Sequence, residues 1–173
     1  MNIKEKIYHF VAKRQPERQA QWPHWGDVKS VLVLYESDMT EKNTPMRAIR
    51  SELQKHGIDA VFWGYVPKKE VQSAVLPQSR IVGTQAFNLW GYPRKEVLGD
   101  LRERHYDLVI DLNQSNALPL RYLCLLADAA FRAGIADSKD TPHDLQIQTL
   151  PQENPTFLFK QILHYLTEIQ SND

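Results

Sequence analysis

The run Tyr106-Asp107-Leu108-Val109-Ile110-Asp111-Leu112 is the stretch that most narrows what this chain can become. Its apolar centre is continuous rather than alternating. That suits a strand covered on both faces, as the inner strands of a parallel sheet are. Asp111 then falls at the strand's carboxyl end, and Asn113-Gln114-Ser115-Asn116 make the loop beyond it. Ligands of open α/β sheets collect at the carboxyl ends of strands. The run therefore predicts an architecture and a place to look within it, without naming a reaction.

The rest of the chain supplies elements that fit around such a strand. Residues 30–35 read as a first buried strand, followed by Glu36-Ser37-Asp38. Residues 58–66, rich in Val, Phe, Trp and Tyr, predict a second strand that Pro67 ends. Residues 80–83 suit a short strand, 131–135 another with Arg132 at an edge, and 145–150 a last one. Helix signals fall between them. Thr44 is an N-cap, Pro45 fits the first helical position, and Gly57 follows the last turn, with Met46, Ile49 and Leu53 facing inward. Residues 68–76 suit one or two helical turns, and Pro93 opens a helix running to about Arg104 that Gly99 weakens. Pro119 opens a helix apolar on several faces. Asn154 caps a final helix with Leu158, Ile162, Tyr165 and Ile169 inward.

Strands alternating with helices predict an α/β protein: a single three-layer Rossmann-like domain over 28–173 with a mainly parallel sheet. Residues 1–27 form an N-terminal helical arm. In it Ile3, Ile7, Phe10 and Val11 share a helical face that suits docking on the main body or on a partner. Trp22 and Trp25 are expected to plug into the domain surface.

Charge narrows the partners. Lys plus Arg (21) equals Asp plus Glu (21), so no global field favours nucleic acid or an anionic membrane, and neither partner is expected. Stacking of bases on the two tryptophans is the weaker reading, because Glu5, Glu17 and Asp27 dilute the arm's positive charge. The apolar runs are too short to span a bilayer. Lys4, Glu5 and Lys6 arrive too early for a secretory apolar core, which makes the cytoplasm the expected compartment. Cys124, inside an apolar helix, reads as a small buried hydrophobe.

The motifs that announce chemistry do not occur. There is no glycine-rich phosphate loop, no His-Glu-x-x-His, no paired cysteines and no Gly-x-Ser-x-Gly elbow, so no cofactor is expected. What remains is a cluster at the strand ends: Glu36, Ser37, Asp38, Asp111, Asn113, Gln114 and Ser115 are the candidate ligand-binding residues. If the first strand and the 106–112 strand are neighbours, Glu36, Asp38 and Asp111 face each other. Crowded carboxylates raise one another's pKa and suit acid/base work or a divalent cation. The plainer role, capping loop amides, is preferred. A second group, Asp137, Asp140, His143 and Asp144, lies in a polar loop and reads as solvated, so no metal site is expected. Phe87-Asn88-Leu89-Trp90-Gly91-Tyr92-Pro93 reads as an aromatic turn anchored in the core.

Two resemblances follow from these residues. Tyr-Asp-Leu-Val-Ile-Asp-Leu at 106–112, a helix, and Phe-Arg-Ala-Gly-Ile-Ala-Asp at 131–137 resemble the amino-terminal half of heptosyltransferase-type glycosyltransferases. That likeness implies an acceptor-side Rossmann-like domain. The family's first strand leads to a Gly-Asp pair that supplies its catalytic acid. Here Glu36-Ser37-Asp38 stands instead, so no catalytic role carries over to Asp38. The family's nucleotide-sugar domain is expected to have no counterpart after Asp173. A closer resemblance takes in 87–93, 106–112, 131–137 and Gln161 to Leu166, and is to a small bacterial family of unknown function. The combined expectation is a non-catalytic binding or interaction module with a small-molecule or protein partner. The alternative is a small transferase or hydrolase using the acids at the strand ends. The oligomeric state stays open.

Overall fold

The computed structural model describes residues 1–37, 44–69, 78–136, 141–150 and 153–168. Among the described residues six strands form one sheet: β1 (Ser30–Glu36), β2 (Asp59–Tyr65), β3 (Ser79–Val82), β4 (Tyr106–Asp111), β5 (Ala129–Ile135) and β6 (Leu145–Ile147). Their spatial order is β3-β2-β1-β4-β5-β6. Every neighbouring pair is parallel. The chain builds outward from β1 to one edge, returns to lay β4 beside β1, and builds outward to the other edge. The place where it reverses is the topological switch point, where open sheets of this kind bind ligands.

The described α-helices that cover the sheet are α1 (Ile3–Lys13), α2 (Thr44–Lys55), α3 (Lys95–Leu101), α4 (Leu118–Leu126) and α5 (Pro155–Glu168). Alternation along β1 shows how. Val31 and Val33 point into a core with Ile49 and Leu53 of α2 and Leu158 and Ile162 of α5. Leu32 and Leu34 point into the opposite core, with Tyr8 of α1, Leu101 of α3 and Leu123 of α4. A strand apolar on both faces is what this double cover requires. The fold is thus the three-layer, parallel α/β arrangement that the strand–helix alternation predicts.

Several local expectations are corrected. Arg132 is not at an edge: it is buried in β5, inside β6, and its guanidinium donates to the carbonyls of Leu125 (3.1 Å) and Ala127 (2.9 Å). Those are acceptors left over at the end of α4, so a buried cation closes a helix terminus. In α5 the inward stripe is Leu158, Phe159, Ile162 and Leu166, while Tyr165 is exposed. In α1 the buried residue is Tyr8, and Ile3 and Phe10 face solvent. Tyr8 meets Tyr122 of α4 edge-on at 5.0 Å between ring centres, which docks the helix on the chain's own body. Pro93 pairs with Phe87 across the aromatic turn, and α3 starts two residues later and ends at Leu101. The tryptophans pack: Trp22 lies edge-on to Phe131 at 5.3 Å and Trp25 edge-on to His56 at 5.5 Å.

Asp38, Asp137, Asp140, Ile169 and residues 70–76 of the expected helical turns lie outside the described residues. No helix among the described residues is long and apolar enough to cross a membrane.

Candidate functional site

The register of β1 on β4 sets Leu34 beside Asp111, so Glu36 overhangs the start of the loop after β4. There the loop wraps around it. The Ser115 amide donates to Glu36 Oε1 at 3.2 Å, and the Ser115 hydroxyl makes a short contact with the same oxygen. Burial pushes the Glu36 carboxyl above its ordinary value, against the pull of the Ser115 and Gln114 amides, and the nearby Asp111 adds to the rise. Asn113 closes the loop on itself: its Oδ1 accepts from the Ala117 amide (2.9 Å) and its Nδ2 donates to the Ala117 carbonyl (3.0 Å). Gln114 Nε2 reaches the Glu153 carbonyl at 2.7 Å, tying the loop to the start of α5. The Ser37 amide donates to the Tyr65 carbonyl at 2.9 Å. Of the residues singled out in the sequence, Glu36, Asp111, Asn113, Gln114 and Ser115 converge, and their hydrogen bonds run largely to one another and to the loop.

Asp111 points into the layer under α1 and α4, on the same face of the sheet as its neighbour Leu34. It is 2% exposed; Oδ1 accepts from the Asn113 amide at 3.1 Å and Oδ2 lies 2.9 Å from His143 Nε2. His143 belongs to the loop expected to be solvated, yet its side chain is only 6% exposed. Asp144 puts it there. Its carboxylate accepts from Arg18 (2.6 Å) and from the Arg132 amide (2.8 Å), while its own amide donates to the Arg132 carbonyl at 2.7 Å. The loop is thereby laid along β5, and the imidazole stands over Gly134. A Cβ at Gly134 would come within 2.4 Å of His143 Nε2, so only glycine leaves room for the ring. Cys124 of α4 is fully buried in the same place: Asp111, Cys124 and His143 each offer a donor atom within 4.8 Å of the others. Spacing along the chain gave no sign of this, because the three come from β4, α4 and the loop before β6. The Phe-Arg-Ala-Gly run was the one available signal, a glycine inside an otherwise apolar strand.

A separate groove opens beyond the carboxyl ends of β2 and β3. It holds about 470 Å³ between Lys4, Tyr65, Lys69, Phe87, Arg94 and Leu118. Arg94 Nε donates to the Gln85 carbonyl at 2.8 Å, which fixes its guanidinium. Phe87 is packed edge-on to Tyr65 at 5.7 Å. Asn88 Oδ1 accepts from the amides of Trp90 (2.9 Å) and Tyr92 (3.1 Å), so the aromatic turn is a fixed wall. Gly91 lies at φ +81, a conformation that favours glycine. Phe87 and Pro93 anchor this turn in the core as expected, while Leu89, at its tip, is 84% exposed. Among the described residues lining the groove there is no carboxylate.

An open parallel sheet with its loops and groove gathered at the carboxyl edge defines a Rossmann-like α/β domain. Within that class the chain belongs to a family of unknown function, DUF6913, whose profile matches residues 1–169. Among solved structures it is similar to the heptosyltransferase WaaC of E. coli with ADP, at 19% identity and a TM-score of 0.50. That match covers 79% of this chain and 46% of the other, so this chain spans about half the length of the enzyme it resembles. No curated protein matches the sequence.

Proposed function

We propose that the chain is a binding domain for a small anionic molecule, held in the groove between Lys4, Lys69 and Arg94. The observation that carries this reading is the groove's charge: three cations line it and no acid among the described residues does. In a chain with equal numbers of acidic and basic residues, such local segregation concentrates positive potential where a ligand fits. Tyr65 and Phe87 add an aromatic wall, which suits an anion carrying a ring or a sugar better than bare phosphate. The likeness to a heptosyltransferase bound to ADP makes nucleotides and sugar phosphates the first molecules to try. Glu36 and Asp111 do not line this groove, and their carboxylates are engaged by loop amides and His143.

A transferase or hydrolase is the second reading. Glu36 favours it, because a carboxyl held above its ordinary value beside another acid suits a general acid. One experiment separates the two. Full-length protein is titrated calorimetrically with phosphate, nucleoside diphosphates and sugar phosphates, and incubated with a panel of nucleotide-sugars. Binding that falls at least tenfold in Arg94→Glu and Lys4→Glu, with no nucleotide released, is the expected result. Release of nucleotide that Asp111→Asn abolishes would overturn the binding reading, as would affinities that the two charge reversals leave unchanged.

A further inference from the structure

We propose that Asp111, Cys124 and His143 form a buried site for a single zinc ion. This goes beyond the groove and stands independently of what the groove binds. The three side chains come from elements far apart in sequence and present a carboxylate oxygen, a sulfur and an imidazole nitrogen within 4.8 Å of one another. The donor set selects the metal. Calcium and magnesium take shells of oxygen alone. Sulfur and imidazole nitrogen together with a carboxylate suit zinc, which binds them at about 2.0–2.3 Å in a tetrahedron. Donors on such a tetrahedron stand roughly 3.3–3.7 Å apart. His143 Nε2 and Asp111 Oδ2, at 2.9 Å, need to open only slightly, and the sulfur starts from within 4.8 Å of the other donors.

Burial and charge support the same assignment. Asp111 is 2% exposed, Cys124 is fully buried and the His143 side chain is 6% exposed, so a charge here is largely out of water. A thiolate, a carboxylate, a neutral imidazole and a divalent cation sum to zero. That is the condition under which ions are tolerated in a dry interior. Around the cluster the hydrogen bonding is incomplete. His143 Nδ1 is buried with no partner among the described residues. Gly134 completes the case, because the strand is bared of its Cβ at the point where the imidazole stands. A Cys–His–Asp nucleophile would present the same residue types. Cys124, however, is fully buried and does not line the groove, so its sulfur is not presented to a ligand held there. The ion's role is then structural: it ties β4, α4 and the loop before β6 beneath α1.

Cobalt(II) alone is the probe, since its spectrum reports both geometry and sulfur. It is offered to full-length protein stripped with chelator, and again during refolding from denaturant so that a buried donor set is reached. The expected result is one equivalent bound, with intense tetrahedral d–d bands and a thiolate-to-cobalt band. Zinc should displace the cobalt and raise the melting temperature, and Cys124→Ser should lose the thiolate band. No uptake by folded wild-type protein under either regime would overturn the proposal. So would a weak octahedral spectrum without the thiolate band. If Cys124→Ser fails to fold, the wild-type spectrum decides alone.

Discussion

Gly134 is the residue on which the buried cluster depends. Alanine there would place its Cβ 2.4 Å from His143 Nε2 and 2.5 Å from Cε1, with the ring confined by its own burial. Gly134→Ala should therefore destabilise the protein by about 1–3 kcal/mol, as overpacked positions do, and shift the His143 ring resonances. Gly99 is the control. A Cβ there meets nothing within 4 Å inside α3, so Gly99→Ala should stabilise by about 0.5–1 kcal/mol. Urea denaturation of both variants checks the contrast. At this scale the sequence was legible only in part. Asp111, Glu36 and Ser115 were marked by their places at strand ends, which a one-dimensional pattern does record. His143 was not, because its burial comes from Asp144 pairing with Arg18 and with the backbone of Arg132, contacts between parts of the chain that no local pattern links.

Elements were more legible than the bonds between them. Five of the strand segments follow from apolar runs, and α2 follows from its proline start and from Gly57, which adopts φ +69 after the last turn. The errors fell on faces and ends. Arg132 reads as an edge charge until the carbonyls of Leu125 and Ala127 are seen to need a donor. Tyr165 reads as inward because it continues the helical spacing of Leu158 and Ile162, while the helix buries Leu166 instead. Where β1 and β4 begin, Asp107 does similar work in the open. Its Oδ2 accepts from the amides of Lys29 (2.8 Å) and Ser30 (2.9 Å). Burial would raise its carboxyl, but those amides, the Ser30 hydroxyl and His105 outweigh it and hold it below its ordinary value. A depressed folded pKa contributes stability that is present above the unfolded value, about 4, and is lost as pH falls through the folded one. Asp107→Asn should thus cost about 1–3 kcal/mol at neutral pH. The difference from wild type should narrow below pH ~4, as measured by urea denaturation across a pH series.

For the whole molecule, the question is how the amino-terminal helix belongs to the domain. Glu5 binds Arg121 of α4 through both carboxylate oxygens at 3.0 and 2.9 Å. The Arg121 side chain is only 5% exposed and lies 4.1 Å over the Tyr8 ring. Removing one partner leaves a buried charge uncompensated, so Glu5→Ala should destabilise by on the order of 3 kcal/mol. Adding Arg121→Met should recover much of that loss, because an apolar side chain suits the vacated surroundings. Equilibrium denaturation of the single and double variants measures the coupling.

The strand order also bears on how the chain reaches this structure. The neighbours β1 and β2 are separated by one helix, and so are β4 and β5, but β1 meets β4 only after the whole first half of the chain has been threaded. Pairings distant in sequence carry a larger loop-closure cost and slow folding. We expect the two half-sheets to form first and the β1–β4 seam to zip last. Until it does, both halves present flat, apolar strand edges that invite pairing with another molecule. The seam is laced at one end by Asp107 to Lys29 and Ser30, and at the other by Ser115 to Glu36. Those side chains therefore bear on how much chain escapes aggregation during folding, as well as on the stability of the folded form.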